Sequence, residues 1–216
     1  MMRSGVSAMH RVSLTKILLV SIVLWGVVTA SGFSQYSEGI REATDTFGRR
    51  VLLYDDQTWH YAQPDVSELY WGMSMEQVRG AGAVRYLPVD ETTIVAMNVP
   101  AFTMIGMQIL GFDHDRLAGA IYLFDEHHFD GELYIRDYEQ MVEHFITVYG
   151  QPQEDLVEWI GEETAEIGKA FLDGRVEMAT RWETERSIIM CGLANDAELF
   201  GLMVLFSDRE SEDFVF

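Results

Sequence analysis

The sequence predicts an α+β fold in which antiparallel β-meanders carry helices packed on one face. Three strand-length apolar runs, 92–99, 102–112 and 116–124, follow one another through short turns, and three more lie at 175–183, 186–194 and 199–207. Short connections favour antiparallel pairing. A segment with helical periodicity separates the two sets, so the order helix, three strands, helix, three strands suggests a tandem duplication. Helices on one face of the sheet are then the expected architecture.

The long helix has the clearest periodicity in the chain. Its apolar residues recur three and four positions apart and form one stripe: Ile135, Tyr138, Met141, Val142, Phe145, Ile146 and Tyr149. Gly150 is suited to end this helix, and Pro152 prevents its continuation. A shorter helix is predicted over 75–79, because Ser74 and Gln77 have the spacing of a capping box. Residues 156–161 favour a strand, while 163–174 fit a short helix or a strand.

The first thirty residues differ from the rest of the chain. Arg3, Arg11 and Lys16 are their only charges, and an apolar run follows at 17–28. This run is shorter than the roughly 18 residues that a spanning helix needs. A basic start, a short apolar core and small residues at 28–30 predict a signal peptide over 1–30, with Met1 or Met9 as its start. We expect a periplasmic or secreted protein; the alternative is an N-terminal membrane anchor facing outside the cytoplasm.

The rest of the chain divides into three predicted parts. Residues 31–46 are polar and aperiodic, which predicts a flexible lead-in. A β-hairpin is predicted over 47–63, and the α+β domain over 64–216. Alternation in the hairpin places Trp59 and Tyr61 on one face, where they either pack on the domain or form an exposed handle for a protein or glycan. Trp71 is a third binding candidate, with a staple or core contact as its alternative.

Charge and cysteine content exclude several classes of protein. The chain carries a formal net charge of −20, which disfavours binding to nucleic acid and to anionic membranes. Cys191 is the sole cysteine, so an intramolecular disulfide is excluded, and its apolar surroundings predict an inert buried thiol.

The methionines of the predicted strands either fill the core or line an adaptable groove: Met104, Met107, Met178, Met190 and Met203.

The acidic segment 123–134 (LFDEHHFDGELY) is the strongest candidate for a metal site in the sequence. Its potential ligands are Glu126, His127, His128 and Asp130. Adjacent residues of an extended chain point to opposite faces, which disfavours a shared ion at the two histidines. In the register of a calcium loop, with Asp137 as its last ligand, a histidine would occupy the third position, where it is a poor ligand for a hard cation. We therefore expect a solvated acidic turn without a metal.

No catalytic motif is present in the sequence. A glycine-rich stretch at 79–84 lacks the third glycine of a dinucleotide loop and follows a helix instead of opening one. The nucleophile-elbow, zinc-protease and P-loop patterns are absent as well. We expect a non-catalytic protein without a cofactor that binds a protein or glycan of the cell envelope. The alternatives are a hydrolase with acidic residues in a cleft between the meanders, and a secreted protein that binds divalent cations.

Several short motifs resemble those of uncharacterised exported bacterial proteins. They are GRRVLLYDDQTWHYA at 48–62, WGMSMEQV at 71–78, YGQP at 149–152 and TRWETERSII at 180–189. The helix-and-meander pattern, which covers most of 47–206, is also similar in outline to the small lipoprotein of the outer-membrane β-barrel assembly machinery and to β-lactamase inhibitory protein. Neither the lipidated cysteine of the first nor the disulfides of the second are present. The resemblance implies an α+β binding module and assigns no catalytic residue.

Overall fold

The computed structural model describes residues 40–54, 58–81, 84–124, 126–195 and 200–211. These residues contain three helices and eleven strands, and the strands form two antiparallel sheets. This architecture confirms the α+β prediction. The helices are α1 (Met75–Ala81), α2 (Gly131–Tyr149) and α3 (Ile167–Leu172). The strands are β1 (Ile40–Thr44), β2 (Arg50–Tyr54), β3 (Trp59–Tyr61), β4 (Leu87–Pro88), β5 (Thr93–Ala101), β6 (Met104–Asp113), β7 (Arg116–Phe124), β8 (Glu154–Trp159), β9 (Val176–Glu183), β10 (Ser187–Asn195) and β11 (Phe200–Asp208).

The main sheet has eight strands in the order β4-β5-β6-β7-β11-β10-β9-β8. Each half of the chain contributes a four-stranded meander, and the last strands of the two meanders, β7 and β11, pair at the centre. The two halves therefore occupy equivalent positions about the central pair, as a duplicated helix-and-meander unit would. The short strand β4 at one edge was not predicted, because two residues carry no measurable periodicity.

The six long predicted strands are all present, with boundaries that differ from the prediction by at most two residues. The capping box of α1 forms as expected: the backbone nitrogen of Gln77 donates to Ser74 Oγ at 3.2 Å, and that of Ser74 donates to Gln77 Oε1 at 2.8 Å. Gly150 ends α2 with a φ of 82°, a conformation that favours glycine. The segment 163–174, for which the sequence fits a helix or a strand, contains the short helix α3. Residues 55–57, between β2 and β3, and 196–199, between β10 and β11, lie outside the described residues.

Helix α2 packs its predicted stripe against the main sheet. Tyr138, Met141 and Phe145 are buried, and the ring of Phe145 meets Trp182 of β9 edge-on at 5.4 Å and Phe206 of β11 at 6.1 Å. Full burial of such side chains contributes about 1.5–3 kcal/mol each. The hydroxyl of Tyr138 lies 2.5 Å from Thr180 Oγ1. The helix is thus held to the sheet by apolar contact and by a buried hydrogen bond.

Residues 40–44 of the predicted lead-in join the predicted hairpin in one three-stranded sheet, β1-β2-β3; residues 31–39 of the lead-in lie outside the described residues. The prediction of a flexible lead-in over 31–46 is therefore wrong for the residues of β1 (Ile40–Thr44), which pair along their whole length with β2. The polar sequence of β1 has no strand signature, and the strand forms because β2 supplies hydrogen-bond partners. The predicted pairing of β2 with β3 is confirmed.

None of the helices in the described residues is long and apolar enough to cross a membrane. The predicted signal peptide, 1–30, lies outside these residues.

Candidate functional site

The face of the main sheet opposite the helices carries two apolar rows, which together we call the outer stripe. Strand register places cross-strand neighbours side by side on one face. The first row runs across six strands through Leu87, Val95, Ile109, Ile121, Leu205 and Met190. The second runs across six strands through Met107, Leu123, Met203, Gly192, Ala179 and Leu156. At about 4.8 Å between strands, each row is about 24 Å long.

The outer stripe is packed at its centre and open at its ends. Ala179, Met190, Met203 and Leu205 form a cluster separate from the main core, with Ile121 and Leu123 packed against it. In contrast, Leu87 is 49% and Leu156 is 52% exposed at the two edges. Ile105, two residues before Met107 on the same face of β6, is 61% exposed. The exposed apolar surface of this face is therefore concentrated at Leu87, Ile105 and Leu156, and exposed apolar patches are typical of interaction sites.

Acidic side chains border one end of the outer stripe. On β8 and β9 the same face carries Glu154, Glu158, Glu177, Arg181 and Glu183. Arg181 is the single cation among the described residues of these two strands, and it lies 2.5 Å from a carboxylate oxygen of Glu183 and 4.0 Å from one of Glu154. Arg209 adds a second guanidinium, 3.3 Å from the other carboxylate oxygen of Glu183, so four carboxylates and two guanidiniums leave this end of the face negative at neutral pH.

Trp59 and Tyr61 form an exposed aromatic pair on the small sheet. Their rings meet edge-on at 5.4 Å, as the predicted alternation requires. The side chains are 55% and 43% exposed. The guanidinium of Arg49 lies 4.3 Å from the ring centroid of Tyr61, and its Nη2 donates to the Tyr61 hydroxyl at 2.6 Å. Both rings are thus accessible to solvent on the small sheet.

Trp71 lies apart from this pair, inside the core. It is 5% exposed, and its indole nitrogen donates to Ser187 Oγ at 2.9 Å. Its backbone nitrogen donates to Asp65 Oδ2 at 2.9 Å. A side chain held in this way presents no surface to a partner, so Trp71 takes the core position that was the alternative to its predicted binding role.

The structure separates the metal candidates of the acidic segment. Asp130 caps α2, because its carboxylate accepts from the backbone nitrogen of Glu132 at 3.1 Å. The ring of His127 stacks at 6.4 Å on that of Phe200. Glu126 and His128 instead come together with Asp137 of α2, and one ligand atom from each of these three lies within 4.8 Å of the others. In the sequence, Asp137 was a candidate only as the last ligand of a calcium loop; the contact of its carboxylate with His128 depends on where α2 begins.

Cys191 has no accessible thiol. It points into the core from β10 and is fully buried. Burial raises the pKa of the Cys191 thiol well above its usual range, which removes the thiolate needed for nucleophilic chemistry at neutral pH.

The outer stripe was missed in the sequence because its two rows come from strands far apart in the chain. Alternation within each run predicts two faces, but the pairing of β7 with β11 is what joins the apolar residues of both meanders. Of the methionines in the predicted strands, Met107, Met190 and Met203 lie on the outer stripe, whereas Met178 belongs to the main core.

Comparison of the chain with protein-family models, with curated proteins and with solved structures finds no match.

Proposed function

We propose that this protein is a non-catalytic binding module that holds a basic, apolar-faced protein segment on the outer face of its main sheet. The observation that carries the proposal is the outer stripe, two apolar rows in register across the sheet, bordered by carboxylates at the β8–β9 end. We further propose that it acts outside the cytoplasm, on the basis of the predicted signal peptide over 1–30.

The chemistry of the face favours one class of partner. Apolar side chains of the partner would cover the exposed parts of the stripe at Ile105 and Leu156, and lysine or arginine side chains would meet the glutamates at its end. Methionines suit such a surface because their unbranched side chains adapt to different shapes. The formal charge of −20 opposes nucleic acid, and it also opposes a second copy of the chain, because two acidic edges would repel one another.

The exposed aromatic pair is a second contact point within this proposal. Trp59 and Tyr61 present two rings and a guanidinium at the surface, and aromatic and arginine side chains are enriched at binding hot spots. Trp59→Ala should weaken binding while leaving the fold intact, because the side chain is more than half exposed.

The hydrolase alternative stays a prediction from the sequence.

The test uses a photo-crosslinking amino acid in the full chain at Leu156, with a matched position at Val148. Val148 is 48% exposed on α2, on the helical side of the sheet, so it controls for nonspecific crosslinking. Crosslinking is performed in extracts of cells that produce the protein, and the captured protein is then purified and its affinity measured by calorimetry. We expect capture of a basic protein from Leu156 and none from Val148.

Variants then connect the captured protein to the face. Ile105→Asp combined with Leu156→Asp should weaken binding at least tenfold, Val148→Asp should leave it unchanged, and added salt should lower the affinity of the native chain. The proposal fails if the double variant binds as well as the native chain. It also fails if the captured protein is acidic, is a second copy, or if no protein is captured.

A further inference from the structure

We infer that Glu126, His128 and Asp137 form a binding site for a divalent first-row transition metal ion, represented by Zn²⁺. This inference is independent of the proposed protein-binding face. The Nε2 atom of His128 lies 2.5 Å from Asp137 Oδ2 and 3.9 Å from Glu126 Oε2. Three different ligand atoms thus converge at one point, from the loop after β7 and from α2.

Two of the three ligands are held by the fold. The backbone nitrogen of His128 donates to the hydroxyl of Tyr134 at 2.8 Å, and the two rings meet edge-on at 4.7 Å. Asp137 lies on α2, whose start is fixed by the Asp130 cap. The side chains of His128 and Asp137 are only 17% and 16% exposed. Preorganised ligands lower the cost of binding an ion.

A cavity of about 200 Å³ opens beside the cluster. Its lining residues are Thr103, Met104, Glu126, Asp137, Gln140 and Met141. The cavity has room for the water molecules that complete a coordination shell when the protein supplies three ligands. Glu126, whose side chain is 48% exposed, is free to move toward an ion.

The spacing of the ligand atoms is close to what an ion requires. Bonds of about 2.0–2.1 Å at tetrahedral or octahedral angles place neighbouring ligand atoms about 2.8–3.4 Å apart. The His128–Asp137 distance of 2.5 Å must therefore widen by less than about 1 Å, and the His128–Glu126 distance of 3.9 Å must shorten by a similar amount. Both changes are within the reach of side-chain rotation.

The donor set selects the class of ion. One imidazole nitrogen and two carboxylate oxygens suit Zn²⁺ and its neighbours in the first transition row. Ca²⁺ and Mg²⁺ are disfavoured because they take oxygen ligands almost exclusively. The net charge of −20 adds a long-range attraction for any cation, so selectivity between ions is the informative measurement.

The test is a titration of the metal-free full chain with ZnCl₂ against a competing chromophoric chelator. We expect one equivalent of Zn²⁺ to bind, and we expect His128→Ala and Asp137→Asn each to weaken binding by more than about 100-fold, since even residues behind the ligands contribute 10–100-fold. His127→Ala is the matched control, because it removes the neighbouring histidine of the same loop and should retain native affinity. Zn²⁺ should also raise the melting temperature of the native chain and of His127→Ala, but not of His128→Ala.

Three outcomes would overturn the inference. They are no Zn²⁺ binding at millimolar concentration, equal losses in His127→Ala and His128→Ala, and Ca²⁺ binding as tight as that of Zn²⁺. The first would leave His128 and Asp137 as an ordinary hydrogen-bonded pair. The others would show diffuse attraction to an acidic loop. Circular dichroism of each variant establishes that it is folded. A further variant, Tyr134→Phe, removes the hydroxyl that holds His128 and should weaken Zn²⁺ binding about tenfold.

Discussion

The backbones of Gly131 and Gly168 are in direct contact where α2 begins and α3 crosses it. A Cβ atom added at Gly131 would overlap the carbonyl group of Gly168, and one added at Gly168 would overlap the backbone of Gly131 and Glu132. The backbone nitrogen of Gly168 donates to Glu132 Oε1 at 3.0 Å across the same crossing. This contact fixes the start of α2, and therefore the turn of helix that carries Asp137.

Gly168→Ala should destabilise the protein by about 1–3 kcal/mol, because the obstructing atoms belong to rigid backbone. Gly80→Ala is the matched control: Gly80 is also helical, and no atom lies within 4 Å of its added Cβ. This change should stabilise the protein by about 0.5–1 kcal/mol, as alanine does in a helix interior. Urea denaturation measures the free energy of unfolding of both variants. Equal stability of the two variants would contradict the close approach.

Removal of the Asp65 carboxylate should cost about 3–5 kcal/mol, because it leaves buried groups without their partner. The side chain of Asp65 is 4% exposed and accepts from Arg186 Nε at 2.9 Å and from Arg50 Nη1 at 3.5 Å. It thereby joins the small sheet to the β9–β10 turn. Arg50 keeps a second carboxylate partner in Glu42 at 3.0 Å, so the groups that lose their acceptor are Arg186 Nε and the backbone nitrogen of Trp71. Asp65→Ala should lower the urea midpoint and expose β1–β3 to protease.

Glu166→Ala serves as the control for this prediction. Glu166 forms an exposed pair with Lys169 at 3.9 Å, and such pairs contribute about 0–1 kcal/mol. A loss at Asp65 no greater than the loss at Glu166 would show that the small sheet does not depend on this carboxylate.

The protein should lose stability as the pH rises above about 9. Burial is the largest cause of the raised pKa values of Tyr122, Tyr138 and Cys191, whereas in the unfolded chain these groups titrate near 9 to 10. Above that range the unfolded state releases protons that the folded state retains. Each such group therefore lowers the free energy of unfolding by about 1.4 kcal/mol per pH unit, and its contribution is fully present below pH 9.

Urea midpoints at pH 7.5, 9.5 and 10.5 measure this dependence, with recovery at pH 7.5 as the check for chemical damage. Tyr138→Phe removes one titrating group, so its midpoint should fall less steeply than that of the native chain. The same variant should be less stable at pH 7.5 by about 0.5–1.5 kcal/mol, because the hydrogen bond to Thr180 is lost. A midpoint that is constant up to pH 10.5 would contradict the burial of these groups.

The local elements were predictable because their signals lie within a few residues of one another. The stripe on α2, the cap at Ser74 and Gln77, and the six long strands all follow from periodicity and from the spacing of polar residues. The same reasoning missed β1, whose partner lies in β2. It also expected an acidic turn at Glu126 and His128, since the position of Asp137 beside them depends on where α2 begins.

The sequence by itself determined the fold class, the order of the elements and the excess of negative charge. Each of these depends on composition or on contacts between near neighbours in the chain. Tertiary structure alone decided that β7 pairs with β11, that Trp71 is buried, and that Gly131 meets Gly168. Those contacts depend on the packing of the whole sheet and its helices, since many weak interactions must be satisfied together before any one of them forms. The outer stripe and the Glu126–His128–Asp137 cluster arise in the same way, from residues that only the folded chain brings together.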